Sequence, residues 1–118
     1  MDTGLFNLVV ESRLHLTSTE ISGIVSKRQA VLNSKLESNV TITDDVSISH
    51  NHAINNENGS TLNFDNSKNI EISRAIFNGN TQTNIKMSNS ERLILTKVKF
   101  RDCKGRHIDL RQVTNVSL

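Results

Sequence analysis

Three stretches of the 118-residue chain carry side chains that could do chemistry: Asp44-Asp45, His50-Asn51-His52, and the run from Cys103 to His107. Two carboxylates can share acid–base or calcium duty only if they face the same way. Asp44 and Asp45 are neighbours in "TITDDVSI", and neighbours in a strand point to opposite faces. They read as a turn pair. His50 and His52 would share one strand face at a spacing a metal accepts, but His15 and His107 are far off in sequence and no third ligand is evident. The letters "HNH" also occur in a nuclease motif whose ββα-metal context is missing here, so the segment reads as an exposed polar strand.

Cys103 is the only cysteine, which excludes a disulfide framework. "KGRH" (Lys104–His107) offers basic residues beside Gly105 that could hold a phosphate, sulfate or carboxylate, without a phosphate-loop motif. No cofactor is expected. Charge is unevenly spread: Lys86–Arg111 holds eight bases and three acids, a surplus of five, leaving the rest at −3 within an overall +2. Such asymmetry points to an acidic partner, with a merely solvated face as the alternative. Nothing approaches the roughly 20 apolar residues of a membrane span. "LFNLVV" (Leu5–Val10) lacks the flanks of a signal peptide.

The elements that must position these residues follow from repetition. "NIEISRAIFNGN" (Asn69–Asn80) and "RLILTKVKFRDC" (Arg92–Cys103) place apolar residues in the same slots, 23 residues apart. Ile70 falls on Leu93, Ile72 on Leu95, Ala75 on Val98, Phe77 on Phe100 and Asn80 on Cys103. Ile85/Met87 fall on Ile108/Leu110, and Leu93/Leu95 on Val116/Leu118. Going backwards the register slips by one, with Val46/Ile48 over Ile70/Ile72 and Asn56 over Asn80; Leu62/Phe64 precede Ile85/Met87 by 23 again. From about Val46 onward this is a repeat protein.

Apolar doublets alternating with polar residues indicate strands with one buried face. Three such strands per 23 residues leave no room for a crossover helix, so each coil returns one layer higher and pairs in parallel with its equivalent. The expected fold is a short parallel β-solenoid of about three to four coils over residues 46–118, right-handed by the crossover rule. A leucine-rich repeat also fits "LTKVKFRDC", but it leaves the Ile85/Met87 and Ile108/Leu110 doublets without a role.

These residues, "NIEISRAIFNGN", "IKMSNSERLIL" and "VKFRDCKGRHIDL", resemble the right-handed parallel β-helix repeats of the pectin-lyase-like superfamily. The resemblance implies an inward ladder in which Asn56, Asn80 and Cys103 stack. It makes an acidic polysaccharide a plausible partner, while charge alone equally allows nucleic acid or protein. Enzymes of that kind need clustered carboxylates and usually more coils. Here Asp109 has Lys86 and Asn63 at its equivalent positions, so no acidic stack builds up, and catalysis by this chain alone is not expected.

In residues 1–45 the 23-residue register fails. Leu8/Val10 and Leu14/Leu16 are expected as early strands, spaced like Val40/Ile42 and Val46/Ile48. Between them, Thr17 and Glu20 form a T-x-x-E capping box. Ile21, Ile24, Val25, Val31, Leu32 and Leu36 follow at helical spacing, predicting an amphipathic helix over Ser18–Glu37 that caps the first coil. A docking helix for a partner is the alternative.

The expected function is a non-catalytic binding or assembly module. Its basic C-terminal face, made of Arg74, Lys97, Lys99, Arg101, Lys104 and Arg106, would meet an acidic macromolecule: protein, polysaccharide or nucleic acid. Lysines that merely guard a strand edge are the bland alternative. Two of the four Phe fall in the repeat core, which leaves little to stack single-stranded bases. A homodimer through the C-terminal coil is expected as well. The rival readings are a piece of a polysaccharide-degrading β-helix or phage tailspike, and a small phage-type inhibitor of a host enzyme.

Overall fold

The computed structural model describes residues 4–27, 29–53 and 59–118. The chain winds into a parallel β-solenoid of about four turns. The first coil holds β1 (Phe6–Leu8), β2 (Arg13–Thr17), β3 (Glu20–Ser22) and the short β4 (Val25–Ser26). The second repeats them as β5 (Leu32–Ser34), β6 (Asn39–Thr43), β7 (Val46–Ser49) and β8 (His52–Ala53). The third has β9 (Ser60–Asp65), β10 (Asn69–Ser73) and β11 (Ala75–Asn78). In the fourth, β12 (Thr83–Thr96) runs across two faces before β13 (Lys99–Arg101), and β14 (Ile108–Ser117) lies on β12 as the last rung.

Three faces result. The first stacks β1, β5, β9, the front of β12 and the front of β14. The second stacks β2, β6, β10 and the rear halves of β12 and β14. The third stacks β3, β7, β11 and β13. Every pairing is parallel, as the repeat requires.

Corners between faces are made by one residue in the left-handed region, or by two in the second coil, where Leu36 with Glu37 and Asp44 with Asp45 share the turn. Glu11, Asn66, Asn89 and Gln112 turn the first face into the second, with φ between 47° and 55°. Ser18, Asp44, Arg74 and Lys97 turn the second into the third, and Gly23, His50, Gly79 and Asp102 leave the third. Left-handed backbone costs a non-glycine residue roughly 1–2 kcal/mol. Here it is held by bonds to the next coil, such as Ser18 N–H to Asp44 O at 2.8 Å and Arg74 N–H to Thr96 O at 2.9 Å. Asp44 and Asp45 are indeed a turn pair, with φ 61° and 63°.

The later register is as expected: Ile70 pairs with Leu93, Phe77 with Phe100, Ile85 with Ile108 and Leu93 with Val116. The earlier one is not. Val40/Ile42, rather than Val46/Ile48, lie under Ile70/Ile72, while Val46/Ile48 lie under Ala75/Phe77. Leu14/Leu16 likewise pair with Val40/Ile42, and Phe6/Leu8 form the doublet of the first face while Val10 is exposed. The reason is where length varies. First-face to second-face spacing is 8 residues in successive coils (Leu32 to Val40, Leu62 to Ile70, Ile85 to Leu93). Third-face to first-face spacing runs from 16 (Val46 to Leu62) down to 10 (Ala75 to Ile85).

Among the described residues the expected helix over Ser18–Glu37 is absent; β3, β4 and β5 occupy that stretch. Each left-handed corner shifts the in–out alternation by one, so apolar residues on either side of it fall three apart, as Ile21 and Ile24 do across Gly23 (φ 67°). That imitates helical periodicity. Thr17 and Glu20 form no capping box, because Ser18 between them is itself a left-handed corner. The first coil and the start of the second therefore extend the solenoid over the described residues before Val46 rather than capping it.

The core is a column of aliphatic layers with Phe64, Phe77 and Met87 fully buried among Leu32, Ile42, Ile48, Leu62 and Leu93. Burying a side chain of this size stabilises by about 1.5–3 kcal/mol. Two inward polar ladders run beside it. Ser12, Ser38, Ser67 and Ser90 each follow a first corner; Ser12 N–H donates to Ser38 Oγ at 3.1 Å and Ser67 N–H to Ser90 Oγ at 3.0 Å. The asparagine ladder is real, but the rung beneath Asn80 is Asn51: Ile24 N–H donates to Asn51 Oδ1, and Asn51 N–H to Asn80 Oδ1, each at 3.0 Å. Asn56, expected there, lies outside the described residues.

Candidate interaction surface on the C-terminal coil

The residues singled out as possible chemistry disperse. Asn51 is fully buried in its ladder, leaving His50 on a corner (φ 53°) and His52 on β8, both exposed. Among the described residues no three His, Cys, Asp or Glu side chains gather as a metal would need. Cys103 takes the rung above Asn80, half-buried, and its Sγ donates to Gln82 O at 3.0 Å. Burial pushes its thiol up from the ordinary 9.0, against backbone N–H groups of Gly105 and Asn84 that pull it down. A thiol held neutral is a poor nucleophile.

The basic residues converge better. Arg74 and Lys97 occupy the same corner of adjacent coils, and Arg74 Nη1 reaches Asp44 Oδ1 one coil below at 3.2 Å. Lys97 sits on the corner itself rather than within a strand. Lys99 and Arg101 lie on β13, the edge strand of the third face, over Ile76 and Asn78. Lys97, Lys99 and Arg101 are exposed, while Val98 and Phe100 between them are only partly buried.

Lys104 and Arg106 face the next side of the coil. Their loop is tied to the layer below: Lys104 N–H donates to Asn80 O and Arg106 N–H to Thr83 Oγ1, both at 3.3 Å. Gly105 packs so tightly on the backbone of Gln82 and Thr83 that a Cβ would collide with the Thr83 nitrogen. An open groove of about 490 Å³ lies between Thr81–Thr83 and this loop. Asp109 and Arg111 also line it, with Arg111 Nε 3.7 Å from Asp109 Oδ1. Arg111 was not among the expected site residues; its place on β14 beside Asp109 in the period-two "IDLRQ" was the signal available.

Among the described residues two ion pairs form, Arg74–Asp44 and Arg111–Asp109. Neither involves Lys97, Lys99, Arg101, Lys104 or Arg106, so this side of the last coil keeps its charge turned to solvent. Among the described residues no helix is long and apolar enough to cross a membrane. No protein-family profile, curated protein or solved structure matches the chain.

Proposed function

We propose that the protein is a non-catalytic binding or assembly module whose basic C-terminal coil contacts an acidic macromolecule. The observation that carries this is the placement of Lys97, Lys99, Arg101, Lys104 and Arg106, exposed on one coil and outside either ion pair. Cations held at fixed spacing on a rigid rung raise the local potential and steer an anionic partner. The tethered Lys104–Arg106 loop adds preorganisation, because its backbone need not be ordered on binding. A right-handed coil of the pectin-lyase-like kind belongs to the same proposal; the three stacked parallel faces, joined by tight corners, and the inward Asn ladder support it.

The test uses the intact protein as bait and reads retention against salt. An interaction built on exposed charges is screened once the Debye length shrinks to about 3 Å near 1 M salt. Partner release across that range is the expected result. Retention indifferent to salt overturns the proposal.

A further inference from the structure

The groove beside the Lys104–Arg106 loop lies on the flank of the solenoid, between two consecutive coils. Thr81 and Thr83 line it from the turn that enters β12, Lys104 and Arg106 from the equivalent turn one coil on, and Asp109 and Arg111 from β14. Asp109 and Arg111 alternate with Ile108 and Leu110, which pack on the core, so both project away from it. The three bases have fixed roots. The Lys104 and Arg106 amides donate to Asn80 O and Thr83 Oγ1, Gly105 between them has no room for a Cβ, and the ladder seats Arg111 over Ser88. Arg111 is held to Asp109 only by a 3.7 Å contact between side chains 67% and 18% exposed. So exposed a pair is weak, and the guanidinium is free to turn to a ligand.

The lining selects its ligand by charge and by hydrogen-bond sense. Three bases against one acid leave a surplus of two, and one coil below Asp109 and Arg111 stand Lys86 and Ser88 rather than further acids. Ammonium and guanidinium groups donate and never accept, so the matching group brings several acceptors and no donor. A phosphomonoester does so, with three acceptor oxygens and a charge of about −1.5 to −2 at neutral pH. A carboxylate, sulfate ester or phosphodiester brings about half that charge. Among the described residues no aromatic side chain lines the groove, so a nucleobase finds nothing to stack on. Its volume of about 490 Å³ exceeds one phosphate and leaves room for the atoms that carry it. Resting on the basic-face reading above, we propose that the groove is a subsite for a phosphomonoester of the acidic partner. Lys104, Arg106 and Arg111 hold its oxygens. The Thr83 hydroxyl, which accepts from the Arg106 amide, still has a proton to donate to it. The group is the same whether a protein side chain or a sugar carries it.

The test follows the Gly105 and Arg106 amide shifts by NMR in the intact protein. The probes are an end-capped glycine–phosphoserine–glycine peptide, glucose 6-phosphate, and the sulfate ester of each, which keeps the tetrahedral shape with less charge. At about pH 7.5 a phosphate ester should bind at least about tenfold tighter than its sulfate counterpart, because of the added charge. Which carrier binds identifies the source. At about pH 5, below the second phosphate pKa of about 6, the two esters carry similar charge and the difference should close. Arg111→Gln, at an exposed position, should weaken phosphate binding at least about tenfold at the higher pH. Phosphate esters that bind no tighter than sulfate esters, or an Arg111→Gln variant that binds them as the wild type does, overturn the subsite. Neither result touches the basic-face reading, which stands or falls on release of the macromolecular partner by salt.

Discussion

The side-chain oxygen of Asn80 accepts both amides of Asn51 one coil below, the backbone N–H at 3.0 Å and Nδ2 at 3.1 Å. Asn80 Nδ2 in turn donates to Ile48 O and to Asn84 Oδ1, each at 2.9 Å. One fully buried amide thus satisfies groups in two coils at a turn where the strand ladder is interrupted. Asn80→Ala should cost about 3 kcal/mol, because several buried polar groups lose their partner at once. A urea midpoint close to wild type would show that water fills the site without penalty.

Leu93 and Val116 share one inward column, yet Leu93 is 0% exposed and Val116 43%. Leu93→Ala should cost about 2–5 kcal/mol and Val116→Ala under about 1 kcal/mol. Leu95, covered by Ile72 on one side and 8% exposed, belongs with Leu93. Equal losses at 93 and 116 by chemical denaturation would mean that the last rung is covered.

Gly105→Ala places a methyl against backbone rather than against a movable side chain. The Lys104–Arg106 loop must lift from Thr83, at a cost of about 1–3 kcal/mol. A lowered melting temperature together with faster exchange of the Arg106 amide is the expected signature. An unchanged melting temperature would remove the tether from the account.

For Cys103 the sign is fixed by burial. The folded thiol titrates above its ordinary value of 9.0, so the unfolded chain ionises first. Its contribution to stability is complete below that pH and is lost as pH rises through the folded value. Stability of the wild type should fall above pH 9 more steeply than that of Cys103→Ser, measured by denaturant midpoint. Parallel pH profiles would contradict this.

Much of this was legible because "NIEISRAIFNGN" and "RLILTKVKFRDC" are consecutive coils of one length, so Ile70 over Leu93 and Phe77 over Phe100 could be read directly. The first coils were not, because the spare residues after the third face alter the period and place Val46 over the wrong partner. Corners are the deeper obstacle. A left-handed residue such as Ser18, Glu37 or His50 has no sequence signature as strong as glycine, and its phase shift made Ile21–Leu36 look helical. The serine ladder escaped for the same reason, since its members are recognisable only once Glu11, Asn66 and Asn89 are known to be corners. At the surface, the clustering of bases was visible in charge alone. That Arg74 is neutralised by Asp44, and that Arg111 joins Lys104 and Arg106, needed the true register.

The central claim is that the positive charge of the last coil is the determinant of binding. The most direct measurement compares capture by the wild type with capture by the double variant Lys97→Glu, Lys99→Glu, with the denaturation midpoint recorded for both. Both side chains are exposed, so the midpoints should agree within about 0.5 kcal/mol. The account predicts that the variant loses the acidic partner. Retention at wild-type affinity, with the fold intact, would contradict it.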